Sequence, residues 1–136
     1  DHRDLHSFPT RRSSDLVVDD WAILSGGVLV HQFSHIGGHV IIGGGSKVRS
    51  DVPPYIKADR DPLCYLGLNT VGLNRRNFGK ERIDEIHNIY RIIYQSKRNT
   101  TQALEYVEKE FNPSPDRDYI IGFIRNSGRG IIRSPR

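Results

Sequence analysis

Six apolar residues stand six positions apart, at Val18, Leu24, Val30, Ile36, Ile42 and Val48, and this spacing constrains the fold more than any other feature of the chain. Each is followed four positions later by a small or β-branched residue: Ala22, Val28, Ser34, Val40, Ser46 and Val52. A helix repeats near 3.6 residues and a half-buried strand near 2, so a period of six held from Val18 to Pro53 fits neither. It predicts a hexapeptide β-solenoid. Three hexads make one triangular turn, so residues eighteen apart stack at strand spacing, about 4.8 Å, and the apolar positions fill a narrow interior.

Six hexads supply two turns, whereas solenoids need about three or more stacked repeats, so Val18 is expected to enter in the tail of a longer stack. The preceding segment, DHRDLHSFPTRRSSDL from Asp1 to Leu16, carries no hexad register, no signal-peptide apolar region and no apolar period. It resembles the conceptual translation of a DNA adapter used in short-read sequencing. Residues 1–16 are therefore read as a non-native segment, and the absence of Met agrees with a start lying upstream.

The segment 1–16 is neutral, so the net charge of +4 belongs to the rest of the chain. Residues 17–56 hold two basic and three acidic side chains, and residues 57–136 hold fifteen basic and ten acidic ones. That excess of five, without aromatic interleaving or a dense Lys/Arg run, is weak support for nucleic acid and fits an acidic protein or a phosphorylated ligand better, so no nucleic-acid partner is expected. One cysteine, Cys64, cannot form an internal disulfide, and no apolar run approaches the ~20 residues that span a bilayer. The chain reads as soluble and cytoplasmic, with no membrane insertion.

The register breaks at Asp51-Val52-Pro53-Pro54-Tyr55. Two prolines lack the N–H groups that join a further coil, so the solenoid is expected to end there, with a polar connector from Lys57 to Pro62. Ile83, Ile86, Tyr90, Ile93 and Tyr94 then share one helical face, and a helix of about four turns follows. Thr100 or Thr101 is the expected cap of a second helix, with Ala103, Leu104, Val107 and Phe111 as its buried stripe and Asn112-Pro113 as its stop. Ser114-Pro115-Asp116 announces a third, carrying Tyr119, Ile120, Phe123 and Ile124 and ending at Gly128 and Gly130.

Gly43-Gly44-Gly45-Ser46-Lys47 approaches a phosphate loop in composition but not in spacing, and coil corners account for it better. His31, His35 and His39 occupy the second, sixth and fourth places of their hexads, so within one chain they do not converge on a metal; a site shared between subunits stays open. His35 and His39 read as solvated or subunit-interface histidines, His87 as a helix-flank histidine, and Cys64 as a buried thiol rather than a nucleophile. Two clusters remain as candidate sites. His31 and Gln32, in Val30-His31-Gln32-Phe33, lie at a coil edge. Gly67-Leu68-Asn69-Thr70-Val71-Gly72-Leu73-Asn74-Arg75-Arg76 sets two arginines before the first long helix, where guanidinium groups clamp phosphate bidentately.

GGVLVHQFSHIGGHVIIGGGSKVRSDVPPY, followed by GLNTVGLNRRNF and a three-helix tail closing in SGRGIIR, resembles the C-terminal part of the acyl-[acyl-carrier-protein] UDP-N-acetylglucosamine O-acyltransferases of lipid A biosynthesis. The likeness runs from Val17 to about Arg133. It implies the last coils of a left-handed parallel β-helix over 17–56, followed by a C-terminal α-helical domain over 57–136. It also implies a cytoplasmic homotrimer with active sites between neighbouring prisms, moving a 3-hydroxyacyl chain from the phosphopantetheine of acyl carrier protein to the 3-hydroxyl of UDP-N-acetylglucosamine, without a further cofactor or metal.

The family's general-base histidine belongs to an earlier coil that this chain lacks, so no catalytic residue carries over and the chain as written is expected to be inactive. The resemblance assigns His31 and Gln32 to the sugar nucleotide or the acyl entrance, Asn69 to the nucleotide-sugar cleft, and Arg75 with Arg76 to phosphate groups. Val71 stands where some members carry an acid. The basic tail suits docking of an acidic carrier protein. Two other readings are a coenzyme A-dependent hexapeptide acetyltransferase, which should lack the helical tail and double arginine, and a non-catalytic trimerisation or carrier-binding module.

Overall fold

The computed structural model describes residues 16–135; the segment set aside above lies outside the described residues except for Leu16. Six two-residue strands come first among the described residues: β1 (Val17–Val18), β2 (Ile23–Leu24), β3 (Leu29–Val30), β4 (His35–Ile36), β5 (Ile41–Ile42) and β6 (Lys47–Val48). They pair in parallel at the expected offset of eighteen, Val18 against Ile36, Leu24 against Ile42 and Val30 against Val48, which makes the three faces of a prism. Ile36, Ile42 and Val48 are buried with Ser34, Val40 and Ser46, while Val18 and Leu24 in the first coil remain 44% and 38% exposed. An interior position is only as buried as the coils stacked on both sides of it.

The corners bend through left-handed backbone, which glycine adopts freely at Gly27 and Gly45, both at φ 74° and eighteen residues apart. Another corner uses large side chains for the same bend. Trp21, His39 and Tyr55 have φ of 67°, 61° and 74°, a conformation costing about 1 kcal/mol or more per non-glycine residue. Their rings stack down the prism, 6.4 Å between Trp21 and His39 and 5.6 Å between His39 and Tyr55, with interplanar angles of 13° and 16°.

The prolines do not end the stack. Val52 bridges Ile36, and β7 (Ile56–Asp59) pairs in parallel with β5, Ile41 against Lys57 and Ile42 against Ala58. The offset has shortened from eighteen to sixteen. Pro53 and Pro54 occupy the corner between these strands, where no ladder N–H is required, so their missing donors cost nothing. The expected connector is thus strand β7 and a turn, leading into β8 (Cys64–Leu68), which returns antiparallel to β7.

The tail has one short helix, α1 (Thr70–Arg75), and three longer ones, α2 (Lys80–Gln95), α3 (Thr100–Glu110) and α4 (Pro115–Arg125). Ile86, Ile89, Tyr90 and Ile93 form the buried face of α2, and Ala103, Leu104 and Val107 that of α3. The α3 cap is Asn99, not either threonine: its side chain accepts from Gln102 N while the Gln102 side chain accepts from Asn99 N, a complete capping box. Ser114 caps α4 as its sequence predicts. After α4 the chain runs back to the prism, where Ile131 bridges Asp51 and Arg133 bridges Cys64. Tyr94 clasps this return by donating its hydroxyl to the Ile132 carbonyl at 2.8 Å.

Candidate functional site

β8 delivers Asn69 to the foot of the aromatic corner, and α1 starts there because the Asn69 side chain accepts from Gly72 N, satisfying an otherwise orphaned helix donor. The other end of the same amide is spent across the fold: Asn69 Nδ2 donates to the His39 carbonyl at 2.9 Å. Two turns of helix later Arg76 turns back to the same residue, donating Nε–H to His39 Nδ1 at 2.9 Å. Its guanidinium also lies 5.4 Å from the Trp21 ring centroid. Asn69, Arg76, His39 and Trp21 therefore form one corner, with Arg75 exposed beside it in the last turn of α1.

An arginine cannot accept, so His39 Nδ1 must be the unprotonated nitrogen of a neutral ring. Burial first, and then the Arg76 and Arg82 guanidiniums, push the His39 pKa below its ordinary value, in keeping with that bond. Arg76 Nη2 is buried against the helix with no acceptor among the described residues. A buried charged donor without a partner is costly, about 1–3 kcal/mol for an unsatisfied group.

Behind this corner a buried polar knot fastens the helices to the prism. The Asp116 carboxylate accepts from Tyr55 Oη at 2.6 Å, from Arg82 Nε at 2.6 Å and from Arg82 Nη2 at 2.9 Å. Burial alone would raise the Asp116 pKa, but the hydrogen bonds from Arg82 and Tyr55 outweigh it and hold the carboxyl below its usual range. A second fastening runs through Asp19, which accepts from Tyr119 Oη at 2.5 Å and lies 2.8 Å from His35 Nε2.

His31 and Gln32 sit at a different corner, after β3 rather than β4, and both are exposed. There the Gln32 carbonyl accepts from Arg129 at 3.0 Å, and the same guanidinium lies 5.5 Å from the Phe33 ring. The five residues singled out from sequence thus divide into two groups: Asn69, Arg75 and Arg76 at one corner, His31 and Gln32 at another. His39, expected to be a solvated or interface histidine, lies half-buried in this chain, beneath Trp21 and against Arg76. The signal lay in the register, since Trp21 and His39 are eighteen apart and so stack. Arg129, Arg82 and Asp116 carried no such signal. The three prism histidines have three different partners, and among the described residues no group of three or more His, Cys, Asp or Glu side chains is placed to hold a metal.

By architecture this is a hexapeptide-repeat protein, the end of a left-handed parallel β-helix closed by an α-helical tail. The family described as Udp N-acetylglucosamine O-acyltransferase, Domain 2, matches residues 51–132. The chain belongs to that family. It is similar to the acyl-[acyl-carrier-protein] UDP-N-acetylglucosamine O-acyltransferase of Myxococcus xanthus, 39% identical over 118 residues, covering 87% of this chain and 46% of the relative. The corresponding protein of Alkalilimnicola ehrlichii is 40% identical over 116 residues, covering 85% and 45%. Among solved structures, a UDP-N-acetylglucosamine acyltransferase from Bacteroides fragilis superposes with a TM-score of 0.84 at 55% identity, over 87% of this chain and 46% of that one. The enzyme from Francisella novicida gives 0.84 at 33%, over 89% and 45%. The chain spans about half the length of the curated relatives it matches.

Proposed function

We propose that this chain is the C-terminal part of an enzyme that transfers a 3-hydroxyacyl group from acyl carrier protein to the 3-hydroxyl of UDP-N-acetylglucosamine, the first step of lipid A biosynthesis. The supporting observation is the corner where Asn69 and Arg76 meet His39 beneath Trp21. Its open chemistry is cationic: the exposed Arg75 and the half-buried Arg76 guanidinium, beside a flat indole. A nucleoside diphosphate sugar offers the acceptors such a corner lacks.

In this reading Asn69, Arg75 and Arg76 hold the nucleotide sugar, and His31 and Gln32 serve the sugar nucleotide or the acyl entrance from their own corner. In this reading the base for the oxygen nucleophile belongs to an earlier coil of the whole enzyme, and His39 Nδ1 is committed to Arg76. The phosphopantetheine arm of the carrier brings the acyl group, so no separate cofactor takes part. In this reading residues 17–56, with β7 added, form the prism wall, the residues after them to 135 form the C-terminal domain that carries the helices, and residues 1–16 are the non-native segment. A homotrimer in the cytoplasm is the working assembly of the whole enzyme. Among the described residues no helix is long and apolar enough to cross a membrane.

The test is calorimetric titration of the 136-residue chain with UDP-N-acetylglucosamine and, separately, with coenzyme A. Weak binding of the nucleotide sugar that disappears in Arg76→Gln supports the reading. Binding of coenzyme A in its place would favour an acetyltransferase activity, and, in a third titration, binding of acyl carrier protein alone would favour a carrier-binding module.

A further inference from the structure

One face of the prism is a strand shorter than the other two. The β4 face gains a third rung at Val52, and the β5 face continues through β7 and β8, whereas the β3 face stops at β6. Instead of a third rung beside β6, the chain turns at Arg60 and Asp61 into β8, and the C-terminal return crosses at Ile131 to Arg133. Between β6, that turn and that return lies a cleft of about 690 Å³. Sites for small molecules run to about 300–1,000 Å³, so this one admits a ligand larger than a simple ion.

Four cationic side chains line it, Lys47, Arg49, Arg60 and Arg133, against one carboxylate, Asp61. None of the four makes an ion pair among the described residues, and all are exposed. In the helical tail Arg82 pairs with Asp116, Arg117 with Asp118 and Arg125 with Glu108; among the described residues no carboxylate does this for the four cations of the cleft. Four unpaired cations facing one concavity repel one another and raise its potential, a cost relieved by a multiply charged anion. Three of the four are arginines, whose forked N–H groups match tetrahedral oxyanions bidentately. Ile131 and its apolar neighbours give the cleft a second, uncharged wall for the organic part of a ligand.

We propose that this cleft is a second anion site, separate from the Asn69 and Arg76 corner, which binds a small phosphate-bearing molecule carrying at least two negative charges. Inorganic pyrophosphate is the probe. It is titrated calorimetrically at low ionic strength into the 136-residue chain carrying Arg75→Gln and Arg76→Gln, which removes the cations of the other corner. One equivalent is expected to bind per protomer, and adding Arg49→Gln and Arg133→Gln should weaken it at least about tenfold. Loss of all binding in the Arg75→Gln, Arg76→Gln chain, or indifference to the second pair of substitutions, overturns the proposal. Succinate binding as tightly as pyrophosphate overturns the phosphate assignment. Should the fourfold variant not fold, amide shifts in the unsubstituted chain decide: movement of Ser50, Arg60 and Arg133 on adding pyrophosphate supports the site, and movement confined to residues 69–76 refutes it.

Discussion

Arg76 donates its Nε–H to the Nδ1 of His39 across 2.9 Å, tying the end of α1 to a prism corner thirty-seven residues earlier in the chain. The bond exists only while His39 is neutral. Because burial and the neighbouring guanidiniums lower the His39 pKa in the folded state, the unfolded chain binds a proton there first as pH falls below about 6.5. The contribution of His39 to stability is therefore present above that value and lost as pH falls through the lowered folded pKa. Denaturant unfolding at pH 7.5 and 5.5 should show lower stability at the acid value. Part of that slope should vanish in His39→Asn, which tolerates the left-handed backbone at this position but does not titrate. A slope unchanged by the substitution would remove His39 as its source.

The Asp116 knot has an acid limit of its own. Its carboxyl is held below the usual 3.8 in the folded state, so its stabilisation is complete above that value and disappears as pH falls through the depressed folded pKa. Asp116→Asn keeps the shape but strips the charge from a site where Arg82 and Tyr55 both donate. With Arg82 half exposed, a loss of about 2–3 kcal/mol is expected at neutral pH, read as a lower urea midpoint with an unchanged slope. A change within about 0.5 kcal/mol would mean that the knot contributes no more than a surface pair.

Gly72 is the tightest point of the candidate site. A Cβ there would come within 2.5 Å of Asn69 Nδ2 and 2.6 Å of Arg76 Nη2, so both side chains must shift to admit it. Alanine otherwise favours a helix by about 1 kcal/mol over glycine. Gly72→Ala should therefore leave the melting temperature within a few degrees of the parent while lowering affinity for UDP-N-acetylglucosamine at least about tenfold. Retained affinity would show that Asn69 and Arg76 do not need their present positions.

Leu24 and Ile42 hold the same register on consecutive coils, yet Ile42 is fully buried and Leu24 is 38% exposed. Ile42→Ala should cost about 2–5 kcal/mol by equilibrium unfolding, and Leu24→Ala about 1 kcal/mol. Equal costs would indicate that in solution the first coil is covered as completely as the second.

The prism was legible because burial there is periodic. A residue's place in its hexad sets which way it faces, and six repeats of one pattern define the eighteen-residue stack without any knowledge of distant contacts. The three long helices were legible for the same kind of reason, and Ser114-Pro115-Asp116 announced the start of α4 from three residues. Asn69, Arg75 and Arg76 could be singled out because polar, glycine-punctuated sequence before a helix is locally conspicuous. The prolines misled because a missing N–H matters only where a ladder bond would form, and they stand at a corner.

What the amino-acid sequence determined by itself is the set of features written in short-range pattern: the coil period, the helical faces and the polar segment between them. What only the tertiary structure decided is which distant side chains meet. His39 became the acceptor of Arg76, Asp116 the partner of Tyr55 and Arg82, and Arg129 the donor to Gln32, across separations of 34 to 97 residues. Such pairings leave no local trace, because each depends on the sixteen-residue third coil and the returning C-terminal segment bringing the helices against particular corners of the prism.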